Sequence, residues 1–344
     1  MHSDDWFERL TGFRETRPDA VRERLRLEGS TLLSTHNGER YRIGTLELPS
    51  LADLRERAAA VRPSVRALRL HTISGDARSL HRSAEYQGAL FQVASQFNLL
   101  EMTGPSVCPE DGVARYASDP TQGPACAIAA GAATIYRNYL VPVGDQVGQS
   151  RERQLDALAD LGEALAGLTG LEVSELWSMR NGYALATQSG LEAIREALAR
   201  VDESGCDALR AKLRIGVHWN VEVTDGTQHP RPIVSQAFCS ALPVAYSRVP
   251  AAQWETLARL VLEATYEATL LAGVLHARLG GTNHVLLTRV GGGAFGNPIA
   301  WIDAAIERAL HLVREHDLDV RWVAYRAPDD AMRALINRFP ANIA

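Results

Sequence analysis

The sequence predicts a mixed α/β fold, a mainly parallel or mixed sheet with helices on both faces. Three observations lead there. The C-terminal half alternates in pattern: a helix over 251–275, a strand over 285–290, a helix over 298–311, a strand over 319–325 and a helix over 329–337. Hydrophobic residues make up 46% of the 344, enough to bury a sizeable core. No linker, repeat or low-complexity segment interrupts the chain. That favours one large domain, 63–344, with an N-terminal extension over 1–62 and a helical insertion near 151–208.

Element by element, residues 4–26 mix arginines and acids, with Trp6, Phe7, Leu10 and Phe13 at helical spacing. They read as a surface helix with solvated charges. Residues 30–34 and 41–48 alternate and form a hairpin, Asn37-Gly38 supplying the turn. A helix follows over 51–61 with Ser50 as its N-cap, then strands over 65–73 and 88–94. A long polar loop, 103–123, leads to an alanine- and glycine-rich helix over 124–139. Pro124 suits the first turn of that helix, and Thr121 or Gly123 is its cap, leaving free N–H groups facing the polar loop. The insertion reads as a helix over 151–168, a strand over 182–187 and a helix over 190–199. A strand over 213–223 puts His218 and Asn220 on one side, with Trp219 and Val221 on the other. The apolar run 234–245 is buried.

Composition narrows the function. A formal net charge of -5 leaves no overall basic footprint for nucleic acid. No apolar run approaches the roughly 20 residues of a membrane span. The N-terminus lacks the charged and apolar regions of a secretory signal. Cys108, Cys126, Cys206 and Cys239 lie far apart with no Cys-x-x-Cys, which fits a reducing, cytoplasmic compartment. His229 and His284 show no partner spacing for zinc, so neither a metal site nor a cofactor is expected. Glu263 and Glu267, one turn apart, read as a solvated helix face.

The strongest motif is Gly291-Gly292-Gly293-Ala294-Phe295-Gly296-Asn297-Pro298, between an apolar strand and a helix. Adjacent glycines let backbone amides approach an anion, and the helix adds the positive end of its dipole. Gly291, Gly293 and Gly296 also satisfy the G-x-G-x-x-G pattern of dinucleotide-binding Rossmann folds. That pattern wants an acidic residue ending the next strand, and here the strand ends Tyr325-Arg326-Ala327. A structural turn without ligand is the third reading.

The stretch VLLTRVGGGAFGNPIAWIDAAIERA, residues 285–309, resembles the second ligand loop of macrodomains, nearest the poly(ADP-ribose) glycohydrolase type. The resemblance implies a three-layer macrodomain-like fold with ADP-ribose as ligand. Gly291, Gly292, Gly293, Ala294 and Gly296 would hold the diphosphate, Phe295 would flank the ribose, and Asn297 would cap the loop or touch the ligand. Residues 91–98, FQVASQFN, are similar to the family's strand ending in an asparagine near the distal ribose. The segment 119–126 sits where the family places its first ligand loop, which brings Thr121 and Gly123 toward the ligand. In the glycohydrolase type that loop holds a glycine triplet followed by two glutamates, one the general acid. Here neither is present: Glu101, Glu110, Asp111 and Asp119 are the nearby carboxylates, and none falls on the motif.

Cleaving an ADP-ribosyl bond needs an acid or base beside the anomeric carbon. Asp119, or Glu110 and Asp111, are the candidates, with solvated loop carboxylates as the alternative. Asn98 and Gln122 are candidates to position ribose hydroxyls or water. Arg137 and Asn138 complement a helix C-terminus, and Cys126 reads as a buried small hydrophobe. The sequence thus points to an ADP-ribose-binding hydrolase acting on ADP-ribosylated macromolecules. A non-catalytic ADP-ribose reader and an NAD-binding oxidoreductase stay open beside it.

Overall fold

Residues 5–64 and 66–339 are described by the computed structural model. Asp4 and Val65, where two of the expected elements begin, lie outside them.

The N-terminal stretch is not one surface helix. It breaks into α1 (Trp6–Thr11) and α2 (Pro18–Arg22), because Gly12 turns left-handed at φ 80° and Pro18 can only open a new helix. The stripe Trp6, Phe7, Leu10 and Phe13 is buried. After β1 (Leu25–Glu28), β2 (Thr31–Ser34) and β3 (Arg40–Arg42) form the expected hairpin, with β1 on its far side. Next, β4 (Thr45–Glu47) joins the main sheet. Helix α3 (Leu51–Ala59) starts at Ser50, whose hydroxyl and backbone exchange hydrogen bonds with Asp53 in a capping box.

Then come β5 (Arg69–Ser74), α4 (Ala77–Arg82) and β6 (Leu90–Ala94). The expected helix over 124–139 is two: α5 (Gln122–Ala129) and α6 (Gly131–Tyr139). Ala130 leaves helical geometry, and the Gly131 amide turns to the Thr224 hydroxyl. Short β7 (Pro142–Val143) and β8 (Gln146–Val147) follow. The insertion holds α7 (Ala159–Thr169), α8 (Val173–Leu176), the hairpin β9 (Trp177–Arg180) and β10 (Tyr183–Ala186), α9 (Gln188–Leu198) and α10 (Glu203–Arg210). Residues 151–158, expected to be helical, are irregular.

The remaining elements are β11 (Gly216–Glu222), β12 (Ile233–Cys239), α11 (Ala251–Arg278), β13 (His284–Leu287), α12 (Ile299–Leu312), β14 (Asp319–Ala324) and α13 (Asp330–Arg338). A bulge between His218 and Val221 breaks the alternation in β11, so exposed Asn220, at φ 56°, does not share a face with buried His218.

The main sheet runs β4-β11-β12-β6-β13-β14-β5. Its first two pairings are antiparallel and the other four parallel. Helices cover both faces. Val285 and Leu287 of β13 pack into the large core with α11 and α12, while Leu286 points to the opposite cluster with Ala130 and Ala133. Alternation along one strand therefore specifies three layers. Because β12, β6 and β13 are mutually parallel, their C-terminal ends open along one edge, where open α/β sheets place ligands.

Among the described residues no helix is long and apolar enough to cross a membrane.

Candidate functional site

At that edge lies a cleft of about 160 Å³. It is lined by residues following β6 (Ser95, Gln96, Glu101, Met102), β12 (Ala241) and β13 (Arg289, Val290, Gly291, Gly293, Ala294, Phe295), and by the approach to α5 (Asp119, Thr121, Gln122, Gly123). The bend 291–296 thus has open space beside it. The enclosed volume falls below the usual range for small-molecule sites, so a dinucleotide-sized ligand would lie partly along the open groove.

The glycines of the bend differ in what they are for. Gly291 and Gly296 adopt φ 81° and 70°, and a Cβ on either would lie 2.4 Å from Ala241 or 2.7 Å from Ala245. Backbone geometry and packing demand both. Gly292 sits against Ile302. Gly293 differs: its Cβ would meet nothing within 4 Å among the described residues, and the residue is exposed. The amides of Gly293, Ala294 and Phe295 have no acceptor among the described residues. Asn297 is buried away from the cleft: its side chain donates to the Leu242 and Gly291 carbonyls, and its amide to Gly291. It clasps the loop.

Phe295 meets Tyr183 and Tyr246 with ring centroids 5.3 and 5.7 Å away, an aromatic wall on the cleft. Tyr183 comes from β10, so the insertion forms part of the site. Arg289 lines the cleft too, but Asp303 holds it bidentately and Asp329 also binds it, which neutralises its charge.

On the opposite wall, Gly123 approaches β6 so closely that a Cβ would lie 2.1 Å from the Ala94 carbonyl. The Gln122 side chain accepts from the Ala94 amide and donates to the Gln92 carbonyl, both at 2.8 Å. Its amide is spent on docking α5 to β6. Thr121 is the N-cap, as expected, but without a side-chain bond to the helix. Asp119 accepts from the Thr121 amide and stays partly exposed at the rim.

Three other candidates are not in the lining. Asn98 is fully buried, bonding the Leu100 amide and Gln154 to shape the turn after β6. Glu110 accepts from the Arg151 amide, and Asp111 from that of Cys108. Glu263 and Glu267 are held by arginines: Arg210 for the first, Arg55 and Arg308 for the second.

Sequence reasoning passed over Glu101. It is 1% exposed, lines the cleft, and its Oε2 has no partner among the described residues. Its Oε1 lies 3.3 Å from Nη2 of Arg137, also buried. Arg137 was expected at a helix terminus serving the dipole. Instead it donates to the Leu99 carbonyl and the Thr134 hydroxyl and stacks 3.8 Å over Phe238. Burial disfavours both charges. Guanidinium is too strong a base to give up its proton, so the carboxyl yields. Desolvation outweighs the Arg137 attraction and pushes Glu101 up to about 7. A signal did exist in the sequence: a lone acid inside Leu99-Leu100-Glu101-Met102 is costly to bury without a purpose.

Among the described residues no three His, Cys, Asp or Glu side chains gather as metal ligands. Cys126 is buried, and its thiol is pushed well above the ordinary range by burial, which fits a structural role.

No family model matches the chain, and no curated protein does. Among solved structures it is similar to the poly(ADP-ribose) glycohydrolase of Deinococcus radiodurans in complex with ADP-ribose, at 14% identity and TM-score 0.43, over 95% of this chain and 97% of that one. It is also similar to the poly(ADP-ribose) glycohydrolase of Thermomonospora curvata bound to the inhibitor ADP-HPD, at 12% identity and TM-score 0.38, over 93% and 95% of the two chains.

Proposed function

We propose that this protein is an ADP-ribosyl glycohydrolase with Glu101 as its general acid. The observation that carries the reading is the meeting, in one cleft, of open backbone amides at 293–295 and a buried carboxyl with an unpartnered oxygen. Amides without an acceptor among the described residues suit a diphosphate. A carboxyl raised toward neutrality suits protonation of a glycosidic leaving group.

In this reading the Glu101 proton passes to the leaving oxygen as the bond from the anomeric carbon breaks. Positive charge develops on the ribose. Water then attacks that carbon, and the Glu101 carboxylate takes the water's proton, which restores the acid. Arg137 keeps Oε1 occupied and so leaves Oε2 as the reactive oxygen. Asp119, at the rim, would steady the developing positive charge. Gln122, Asn98, Glu110 and Asp111 have no chemical step in it. The resemblance of residues 285–309 to a macrodomain ligand loop points to the same ligand, and the four free cysteines accord with a cytoplasmic setting.

Calorimetry with ADP-ribose, NAD and AMP, beside release of ADP-ribose from an ADP-ribosylated protein, tests the proposal. Binding of ADP-ribose with turnover is expected. Binding without turnover would leave a reader, and preference for NAD would replace the reading with the oxidoreductase.

A further inference from the structure

Glu15 lies in the N-terminal segment, far along the chain from the cleft, yet it is tied to the loop before α5. Its Oε1 accepts from the Val113 amide at 2.9 Å and its Oε2 from the Ala114 amide at 2.7 Å. The Tyr139 hydroxyl donates to Oε1 at 2.7 Å. Gly112 makes room: a Cβ there would lie 2.3 Å from Oε2. Trp6 holds the same loop from another side, its indole N–H donating to the Ala114 carbonyl.

What the loop carries matters. Residues 114–118 form a short 3-10 helix containing Tyr116, fully buried. The Tyr116 hydroxyl accepts from the Glu101 amide at 3.1 Å. The Tyr116 carbonyl accepts from the Asp119 amide, and the Asp119 side chain accepts from the Thr121 amide. One hydrogen-bonded path therefore runs from Glu15 through residues 113–116 to the backbone of Glu101, and on to the rim at Asp119 and Thr121.

We propose that Glu15 is a positioning residue, whose carboxylate anchors the 113–121 loop and thereby sets where the Glu101 carboxyl stands in the cleft. This rests on the assignment of Glu101 above. A carboxylate suits the task because two oxygens accept three donors at once; an amide offers one acceptor oxygen. Positioning errors of about 1 Å cost on the order of a hundredfold in rate.

Two readouts on Glu15→Gln and Glu15→Ala test it. Hydrogen exchange at the Glu101 amide should quicken at least about tenfold in Glu15→Ala, and less in Glu15→Gln. Per folded molecule, kcat should fall about tenfold or more while KM changes little. Tyr139→Phe, which keeps both backbone anchors, should stay near wild type in both. A drop in Tm with exchange at Glu101 and kcat unchanged would overturn the proposal, leaving Glu15 a stability anchor. If Glu15→Ala fails to fold, Glu15→Gln decides. If wild-type protein releases no ADP-ribose, the function assigned above fails, while the exchange measurement still judges whether Glu15 holds Glu101.

Discussion

One wall of the cleft is the bend 291–297, in which consecutive residues supply the turn, the open amides and the clasp that shuts the loop. The other brings together Glu101 and Gly123 from separate segments, with buried Arg137 and Tyr116, and then Glu15, behind them. The first wall is local: its geometry follows from glycine φ values and one asparagine. The second exists only once β6, α5, α6 and the N-terminal segment have packed. The local wall is suited to holding an anion, and the assembled wall is where a carboxyl has been driven toward neutrality. A contiguous backbone can bind charge, whereas burying an acid takes a whole core around it.

The largest expected effect breaks the assembled wall. Glu101→Gln should lower turnover by roughly a hundred- to ten-thousandfold, with ADP-ribose affinity held within a few fold, measured by product release and calorimetry. In the proposed mechanism the acid form is the working one, so wild-type kcat should decline as pH rises through about 7. The raised value also means that the folded chain holds this proton more tightly than the unfolded chain. Stability from this group is therefore present at low pH and is lost as pH climbs from the ordinary carboxyl range through about 7; Glu101→Gln should remove that slope from urea melts.

Next comes its partner. Arg137→Met removes one member of a fully buried pair, at about 3–5 kcal/mol if the carboxylate stays charged and less if it takes a proton. In the double variant with Glu101→Gln the two losses should fall short of their sum, as a double-mutant cycle in urea would read.

The local wall separates fold from binding. Gly293→Leu should cut ADP-ribose affinity tenfold or more and shift stability by no more than about 0.5 kcal/mol, since the residue is exposed and an added Cβ meets nothing within 4 Å among the described residues. Gly291→Ala should do the reverse, destabilising by about 1–3 kcal/mol through its positive φ and the Ala241 contact. Equal effects of the two would abolish the distinction between them. Smallest is Tyr183→Phe, which removes the hydroxyl bond to the Met102 carbonyl, at about 1 kcal/mol of stability.

The bend, the cap at Ser50, the 37–38 hairpin and the five C-terminal elements were legible because each depends on neighbours within a few residues. Gly291 and Gly296 belong to the bend for reasons of packing that the motif conceals. Asn98, Glu110 and Asp111 were chosen for residue type and proximity to the loop, and type does not say which way a side chain faces. Glu101 was passed over and Arg137 was given to a helix dipole, because their pairing exists only once α6 has packed against the turn after β6.

The sequence by itself determined the strand, glycine turn and helix that offer amides to an anion, since φ preferences and apolar periodicity act over a turn or two. Tertiary structure decided which carboxyl is buried at the cleft and pushed up toward 7. Desolvation depends on everything that surrounds a group, and the surroundings of Glu101 include Arg137, 36 positions away along the chain.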